Sequence, residues 1–281
     1  MGIVINTNTT SLQVQQNLGT ARNNISSSLE KLSTGYKINS AADDAAGLSI
    51  SESLQSQQSG MGIAQSNAQI GVNLLQTAEG DLGVIQSNLQ RIRDLSVQAA
   101  NGTYGTAERT AIQSEVQQRV NEISRVANSS AFNQIKLLNG SNTTLSLQIG
   151  ANFSKTQISL NTLTIGTPLK SATSTQLGIS SVSSYFSSKV KAASFITLVD
   201  TAISTISTNR STIGSLQNRL NSAISSLSVR QENLSSADSQ IRDTDVASEA
   251  ASLTKNQILE QASVSLLSQA NSAPNIALSL I

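Results

Sequence analysis

The chain has 281 residues, 12% of them charged, with a formal net charge of +1 and neither cysteine nor histidine. The missing side chains exclude thiolate nucleophiles, disulfides and imidazole bases, and they remove the commonest ligands of transition metals. A surface with so few charges hardly repels its own copies, so the composition favours self-association. We therefore expect a protein that is not an enzyme, with no catalytic residue, no metal site and no cofactor.

Charges of both signs are scattered along the chain, and no apolar run approaches the roughly 18 residues of a membrane span. We expect neither nucleic acid nor a membrane as a partner. The start of the chain, Met1–Asn6, carries no positive side chain and no long apolar stretch. The sequence therefore predicts no cleaved secretion signal at this end.

The first region, residues 1–45, has a weak amphipathic helical pattern. Its apolar residues recur at helical spacing: Leu12, Leu18, Ile25, Leu29 and Leu32. Fixing each residue costs about 1–2 kcal/mol of backbone entropy, and one apolar residue in three or four barely offsets it. We expect this end to be mostly disordered in the free monomer and to fold when neighbouring copies cover its apolar face.

The second region, residues 46–140, has a stronger helical pattern. A heptad seam of apolar or small residues runs along it: Ala68, Gly71, Leu75, Ala78, Leu82, Ile85, Leu89, Ile92 and Ala99. Asn101-Gly102 predicts the end of this helix, and a second helix is expected after Thr106. The apolar stripe of the second helix comprises Ala111, Ile112, Val116, Val120, Ile123 and Ala127. Gly60-Met61-Gly62 is interpreted as a flexible joint between helices.

The middle region, residues 141–190, changes to a period of two. Leu145, Leu147 and Ile149 alternate with polar residues, and Ile158 and Leu160 do the same. Turn residues such as those at 139–140 and 166–168 separate these runs. The sequence predicts short strands in a small β-hairpin region.

In the fourth region, residues 191–240, the heptad returns. Apolar residues stand seven apart: Val199, Ile206, Ile213, Leu220, Leu227, Leu234 and Ile241. Such a rod cannot bury its stripe on itself. We expect it to pair antiparallel with the helix at 63–100, because the two lie on opposite sides of the strand region.

The last region, residues 241–281, resembles the first in its weak pattern. Its apolar residues include Leu253, Ile258, Leu259, Leu266 and Leu267. We expect this end, like the first, to fold only against neighbouring copies. The predicted fold class is mainly α, an antiparallel hairpin of long helices formed by the N- and C-terminal regions, with a small β-hairpin region in the middle.

Two pairs of carboxylates stand close together in the sequence. Asp43-Asp44 precedes an alanine-rich run, and Asp243-Thr244-Asp245 precedes the last apolar pattern. Neither has the spacing of a calcium loop. We interpret Ser40 or Asp43, and Asp243, as residues that cap helix starts.

Several segments resemble the shared parts of one protein family. Residues 32–48, LSTGYKINSAADDAAGL, are similar to the N-terminal signature of bacterial flagellins, and residues 89–102 and 132–133 extend the match. The likeness resumes at 241–249, IRDTDVASE, and at 257–262, QILEQA. Both halves match in order, so the chain is identified as a member of the flagellin family.

The resemblance implies a structural subunit that self-assembles into the helical flagellar filament used for motility. It implies an inner tube made by residues 1–45 and 241–281, and an outer tube made by residues 46–140 and 191–240. It also implies export of the unfolded chain through the type III flagellar apparatus to an extracellular filament. The implied partners are other flagellin subunits, an export chaperone on residues 241–281, a filament cap protein and hook-associated proteins. An alternative is a hook–filament junction protein.

Some positions match those by which flagellins of certain bacteria are bound by Toll-like receptor 5: Gln90, Arg91, Leu95, Glu115 and Arg119. A role in filament contacts is the competing interpretation. We expect helix packing inside the subunit to use Leu75, Leu82, Ile85, Leu89, Ile92, Ile206, Ile213, Leu216, Leu220, Leu227 and Leu234. We expect assembly of the inner tube to use Leu18, Ile25, Leu29, Leu32, Leu253, Ile258, Leu259, Leu266 and Leu267.

Overall fold

The computed structural model describes residues 7–140, 145–150, 162–165 and 172–278. Its helices are α1 (Thr9–Thr34), α2 (Ala45–Ala100), α3 (Thr106–Ser129), α4 (Val182–Tyr185), α5 (Lys189–Arg242) and α6 (Val246–Leu278). Its strands are β1 (Ala131–Phe132), β2 (Ile135–Lys136), β3 (Leu145–Gln148) and β4 (Thr162–Ile165). The fold is mainly α with long helices, which confirms the predicted class.

The chain divides into two compact units. The terminal unit comprises Met1–Ser56 with Asn233–Ile281, and the central unit comprises Gln57–Glu232. Because α2 and α5 each contribute residues to both units, each unit contains part of the N-terminal half and part of the C-terminal half of the chain.

The core of the central unit is built by α2, α3 and α5. The whole predicted seam of α2 is buried, and on α5 the buried residues are Ala192, Phe195, Val199, Ala202, Ile206, Ile213, Leu216, Leu220 and Leu227. From α3 the core takes Ile112, Val116, Val120, Ile123, Val126 and Ala127, whereas Ala111 is exposed. The helices predicted over 63–100 and after Thr106 are confirmed, and α2 ends at Ala100 as Asn101-Gly102 predicted.

The interpretation of Gly60-Met61-Gly62 as a joint is wrong. All three residues lie within α2, which continues without a break. Glycine in a helix costs up to about 1 kcal/mol relative to alanine, but packing of an apolar face outweighs propensity in long helices. Ala64 and Ala68, just beyond the glycines, are buried and anchor the helix there.

The start of α2 is capped by Asp44, not by Ser40 or Asp43 as predicted. The Asp44 Oδ1 atom accepts a hydrogen bond from the backbone N–H of Ala46 at 3.1 Å. Asp43 instead closes the preceding turn, where its Oδ2 accepts from the N–H groups of Ser40 at 2.9 Å and Asn39 at 3.1 Å. These backbone hydrogen bonds, that of Ser40 first, lower the pKa of the Asp43 carboxyl. A cap must directly precede its helix, and here the second aspartate has that place.

The start of α6 shows the same shift. Asp245 Oδ1 accepts hydrogen bonds from the N–H groups of Ala247 at 2.9 Å and Ser248 at 3.2 Å, so Asp245 is the capping residue. The prediction of Asp243 is wrong, because the backbone of that residue pairs with Tyr36 in an isolated antiparallel bridge.

Two loops of the terminal unit are joined at this bridge. The N–H of Lys37 donates to the carbonyl of Arg242 at 2.8 Å, and the N–H of Thr244 donates to the carbonyl of Gly35 at 2.9 Å. The Arg242 guanidinium lies 4.3 Å from the centre of the Tyr36 ring. Gly35 ends α1 with φ of 78°, a conformation that favours glycine. The α1–α2 loop and the α5–α6 loop therefore support each other.

Strands are few in the described part of the chain. β3 pairs antiparallel with β4, with Leu145 opposite Ile165, which confirms the strand predicted from Leu145. The strand predicted around Ile158 and Leu160 lies outside the described residues. The hairpin β1–β2 was not predicted; its turn uses positive φ at Asn133 (45°) and Gln134 (67°).

The segment from 172 to 186 belongs to the core of the central unit. Its buried apolar side chains are Ala172, Leu177, Ile179, Val182 and Phe186. The rings of Tyr185 and Phe186 pack against the ring of Phe195 on α5, at centroid distances of 5.2 and 5.5 Å. The sequence pattern predicted no packing role here.

Candidate functional site

Helices α1 and α6 of the terminal unit pair antiparallel. The side chain of Asn8 donates to the carbonyl of Ala270 at 2.8 Å, and the Arg22 guanidinium binds the Glu260 carboxylate at 2.8 Å. As the residue number rises along α1, that of its partner falls along α6. Helices α1 and α6 therefore lie side by side.

Among the described side chains, the fully buried positions between these two helices are small residues. The buried positions are Ser11, Ala21 and Ser28 on α1 and Ser263 on α6. Serine and alanine remove little apolar surface from water, so these four positions contribute little hydrophobic stabilisation. Leu18, Ile25 and Leu32 stand at the same three- and four-residue spacing along α1 but are only half-buried.

The large apolar residues of α1 and of the described side chains of α6 remain accessible to solvent. The exposed ones are Leu12, Leu29, Val246, Ile258, Leu259, Val264 and Leu266. The half-buried ones include Leu18, Ile25, Leu32, Leu253 and Leu267. Every residue predicted for inner-tube assembly is therefore exposed or half-buried. The exposed ones, Leu29, Ile258, Leu259 and Leu266, leave apolar surface of the kind that marks a binding surface.

The residues predicted for helix packing lie elsewhere, between α2 and α5. Leu75, Leu82, Ile85, Leu89 and Ile92 on α2 are buried, as are Ile206, Ile213, Leu216, Leu220 and Leu227 on α5. Leu234 is half-buried.

A cluster of polar residues joins α2 to α3 on the surface of the central unit. The Glu115 carboxylate accepts from Arg91 Nε at 3.2 Å and from Arg119 Nε at 3.1 Å. Arg119 also donates to the Asn88 side chain at 3.3 Å. Desolvation raises the pKa of Glu115, but the hydrogen bonds and charges of Arg119 and Arg91 together outweigh it, so the pKa lies below the ordinary value.

This cluster brings together three of the five residues matched to the receptor pattern, namely Arg91, Glu115 and Arg119. Gln90 is exposed beside Arg91 on α2. Leu95 is only 2% exposed and packs in the core, so it can influence this surface only by holding α2 in place. Asn88, which the pattern missed, stands three residues before Arg91, a spacing that places both on one side of the helix.

Three other features of the described part of the chain concern a metal site, a groove and an apolar helix. No group of three or more aspartate or glutamate side chains is placed there to hold a metal ion. A shallow groove along α5 is lined by hydroxyl-bearing residues with Asp200 and Asn209 but has no nucleophile–base pair. By length and composition α5 is apolar enough to cross a membrane, yet its heptad residues pack in the core of the central unit.

Comparison with known proteins assigns the family. The model of the bacterial flagellin N-terminal helical region matches residues 5–143, and that of the bacterial flagellin C-terminal helical region matches residues 196–281. The chain is 39% identical to a flagellin of Halalkalibacterium halodurans over 279 residues, covering 99% of this chain and 100% of that protein. It is 37% identical to the flagellar filament 30.7 kDa core protein of Treponema maltophilum over 292 residues, with coverage of 99% and 100%.

A solved structure from Vibrio parahaemolyticus, described as a putative flagellar hook-associated protein, has a similar fold. It matches with a TM-score of 0.60 and 15% identity, over 72% of this chain and 100% of that one. This likeness concerns the fold alone. The two family models and the full-length relatives, with the paired terminal helices described above, show that the chain belongs to the bacterial flagellin family.

Proposed function

We propose that this flagellin makes its inner contacts with other copies through the outward apolar faces of α1 and α6. The chain is a structural subunit of the bacterial flagellar filament, which serves motility, and it self-assembles with other flagellin subunits. One observation carries the proposal: the fully buried positions between α1 and α6 are serine and alanine, whereas large side chains such as Leu29, Ile258 and Leu259 are left exposed. The exposed apolar side chains of this helix pair are removed from water only when further helices cover them.

The proposed layout assigns residues 1–45 and 241–281 to the inner tube and residues 46–140 and 191–240 to the outer tube. Residues 141–190 form the short variable region. In this layout the nine predicted assembly residues belong to the inner tube, and the α2–α5 packing residues hold each subunit together. A contact between different surfaces of successive copies leaves the array open, so it grows as a helix.

The filament lies outside the cell, and we propose that the chain reaches it unfolded through the type III flagellar apparatus. An export chaperone would cover residues 241–281 before secretion, because the exposed Leu259 and Leu266 of α6 favour aggregation when left uncovered. A cap protein and hook-associated proteins complete the proposed partners at the two ends of the filament. No catalytic activity is proposed.

Seeded growth tests the assembly proposal. Purified monomer is added to filament seeds, and elongation is followed by electron microscopy. We expect the parental chain to elongate seeds without limit, and the double variant Leu259→Ser/Leu266→Ser to lose elongation while its central unit stays folded. Gln257→Ser/Gln261→Ser, which changes exposed polar residues of the same helix, is the matched control.

Two outcomes would contradict the proposal. If the double leucine variant elongates seeds at the parental rate, the outward face of α6 makes no assembly contact. If the parental monomer caps seeds without elongating them, the alternative of a hook–filament junction protein is favoured.

The surface cluster of the exposed Arg91 with the half-buried Glu115 and Arg119 supports a second proposed role, as a ligand of Toll-like receptor 5. Arg91 retains 51% of its side-chain exposure despite its ion pair, so its guanidinium can contact a partner. We expect Arg91→Ala to weaken binding of the monomer to a receptor ectodomain, measured by biolayer interferometry. Arg125→Ala, which removes another exposed arginine of the central unit, should leave binding unchanged. Equal binding by both variants would refute this role.

A further inference from the structure

The heptad pattern of α2 and α5 does not define a single register. Apolar residues recur every seventh position on both helices, for example Leu75 and Leu82 on α2 and Ile206 and Ile213 on α5. A slip of one heptad would again place apolar residues against apolar residues. Something other than the apolar repeat must distinguish the observed pairing from its slipped alternatives.

Charged contacts join the two helices at two levels of the central unit. Arg210 Nε donates to Glu79 Oε1 at 2.8 Å, and its terminal nitrogen donates to the Gln86 side chain. Further along, Arg93 Nε donates to Asp200 Oδ1 at 2.6 Å. The side chains of Arg210 and Glu79 are 38% and 31% exposed, so water screens this pair only in part.

A slip that advances α5 by one heptad along α2 breaks both ion pairs. Arg210 would leave Glu79 and stand beside Gln86 and Arg93, which is a contact between like charges. Asp200 would lose Arg93 and would face the end of α2 near Ala100. The slip therefore removes two ion pairs and adds one repulsion.

The opposite slip also loses a contact. Arg210 would stand between Val72 and Glu79 and could keep one acceptor. Asp200 would face Gln86, which carries no charge. The observed register is the one in which both ion pairs form at once.

We infer that Arg210 and Asp200 fix the register in which α5 pairs with α2, through their ion pairs with Glu79 and Arg93. The inference concerns the folding of the central unit, goes beyond the role in the filament and does not depend on it. Ion pairs between flanking positions are an established way of choosing partners and register between heptad helices.

Reversing one charge should favour the slipped pairing. In the variant Arg210→Glu, the observed register places the new carboxylate against Glu79, whereas the advanced register places it beside Arg93. Adding Glu79→Arg restores attraction in the observed register. The single variant and the double swap therefore predict opposite outcomes, although both carry the reversed charge at position 210.

Thiol cross-linking can report the register, because the chain contains no cysteine of its own. Gln65 Nε2 donates to Ser228 Oγ at 3.1 Å, so Gln65→Cys/Ser228→Cys reports the observed register. Val72→Cys/Ser228→Cys reports the advanced one, since seven residues of helix correspond to about 10 Å. A bismaleimide shorter than this distance is applied to dilute monomer, and intramolecular products are identified by peptide mass spectrometry.

We expect the parental chain to cross-link at 65/228 and not at 72/228. Arg210→Glu should raise the ratio of 72/228 to 65/228 product by about tenfold, and Glu79→Arg/Arg210→Glu should return it to the parental value. Arg125→Glu changes charge by the same amount within α3, where Arg125 pairs with Glu122, and should leave the ratio unchanged.

The inference is overturned if Arg210→Glu keeps the parental ratio, because packing against α3 and the connecting segments would then fix the register alone. If Arg210→Glu does not fold, the variant Glu79→Arg/Arg210→Glu tests the inference instead. Parental melting temperature and cross-linking in the swap support the inference, and a swap as impaired as the single variant overturns it.

Discussion

Two alanine substitutions should distinguish a residue needed for folding from a residue needed for filament assembly. Leu82 is fully buried in the core of the central unit, whereas Ile258 on α6 is 59% exposed. Leu82→Ala removes packed atoms and leaves a cavity, which costs about 2–5 kcal/mol of unfolding free energy. For a unit of this size that loss lowers the melting temperature by roughly 5–15 °C. Ile258→Ala removes mostly exposed atoms and improves helix propensity, so the melting temperature should stay within about 2 °C.

Filament assembly, unlike folding, should be weakened by Ile258→Ala. Fully burying an isoleucine contributes about 1.5–3 kcal/mol, and the exposed 59% of Ile258 leaves about 1–2 kcal/mol to be gained from a neighbouring copy. Its loss should raise the critical concentration for filament growth about five- to twentyfold. The adjacent exposed Gln257→Ala should change it much less.

The two measurements are the circular dichroism melt of dilute monomer and the free subunit concentration after seeded growth, determined by sedimentation. The reasoning fails if Ile258→Ala lowers the melting temperature as much as Leu82→Ala does. It also fails if Ile258→Ala leaves the critical concentration at the parental value, since Ile258 would then meet no neighbouring copy.

Three further predictions concern the terminal helices and acid stability. Asp245→Ala should destabilise the start of α6 by about 1 kcal/mol through loss of its cap, seen as faster amide exchange there, whereas Asp243→Ala should not. The pKa of Glu115 is lowered by its arginines, so its stabilising effect is complete above the ordinary carboxyl pKa and is lost as the pH falls through the lowered value. Glu115→Gln should therefore flatten the acid side of the stability profile. In dilute monomer, amides of α1 and α6 should exchange far faster than those buried in the central unit.

Each of these has a contrary outcome. Equal exchange in the two aspartate variants would mean that the α5–α6 loop, not the carboxylate, orders the start of α6. An unchanged acid profile in Glu115→Gln would show that the arginine cluster adds no stability. Slow exchange at both ends of the monomer would show that the serine and alanine seam suffices to hold α1 and α6.

The long helices of the central unit could be predicted from sequence because their period is strict. Leu82 and Ile206 each belong to runs in which every seventh residue is apolar, and both are buried. The prediction of a joint at the glycines at 60 and 62 is wrong because packing of the neighbouring Ala64 and Ala68 outweighs the low helix propensity of glycine. The register of α2 against α5 could not be predicted from a repeat that is the same after every heptad.

Details at helix ends and surfaces were harder to predict. Asp43 and Asp44 have the same chemistry, and only the backbone path decides which one precedes the helix. Leu95 belongs to the motif with Arg91, but a motif does not state which of its residues face the core. The spacing of Ile92 and Leu95, three residues apart on a packed helix, was the available signal.

The contact between α1 and α6 affects how well a subunit resists proteolysis. Because the fully buried positions between these helices are serine and alanine, we expect α1 and α6 of a single molecule to separate at a small cost in free energy, so that proteases cut the backbone there readily. A subunit held on all sides by its neighbours has no such freedom. Resistance of α1 and α6 to protease digestion should therefore measure the fraction of subunits that have polymerised. Proteases should degrade the unassembled subunits first.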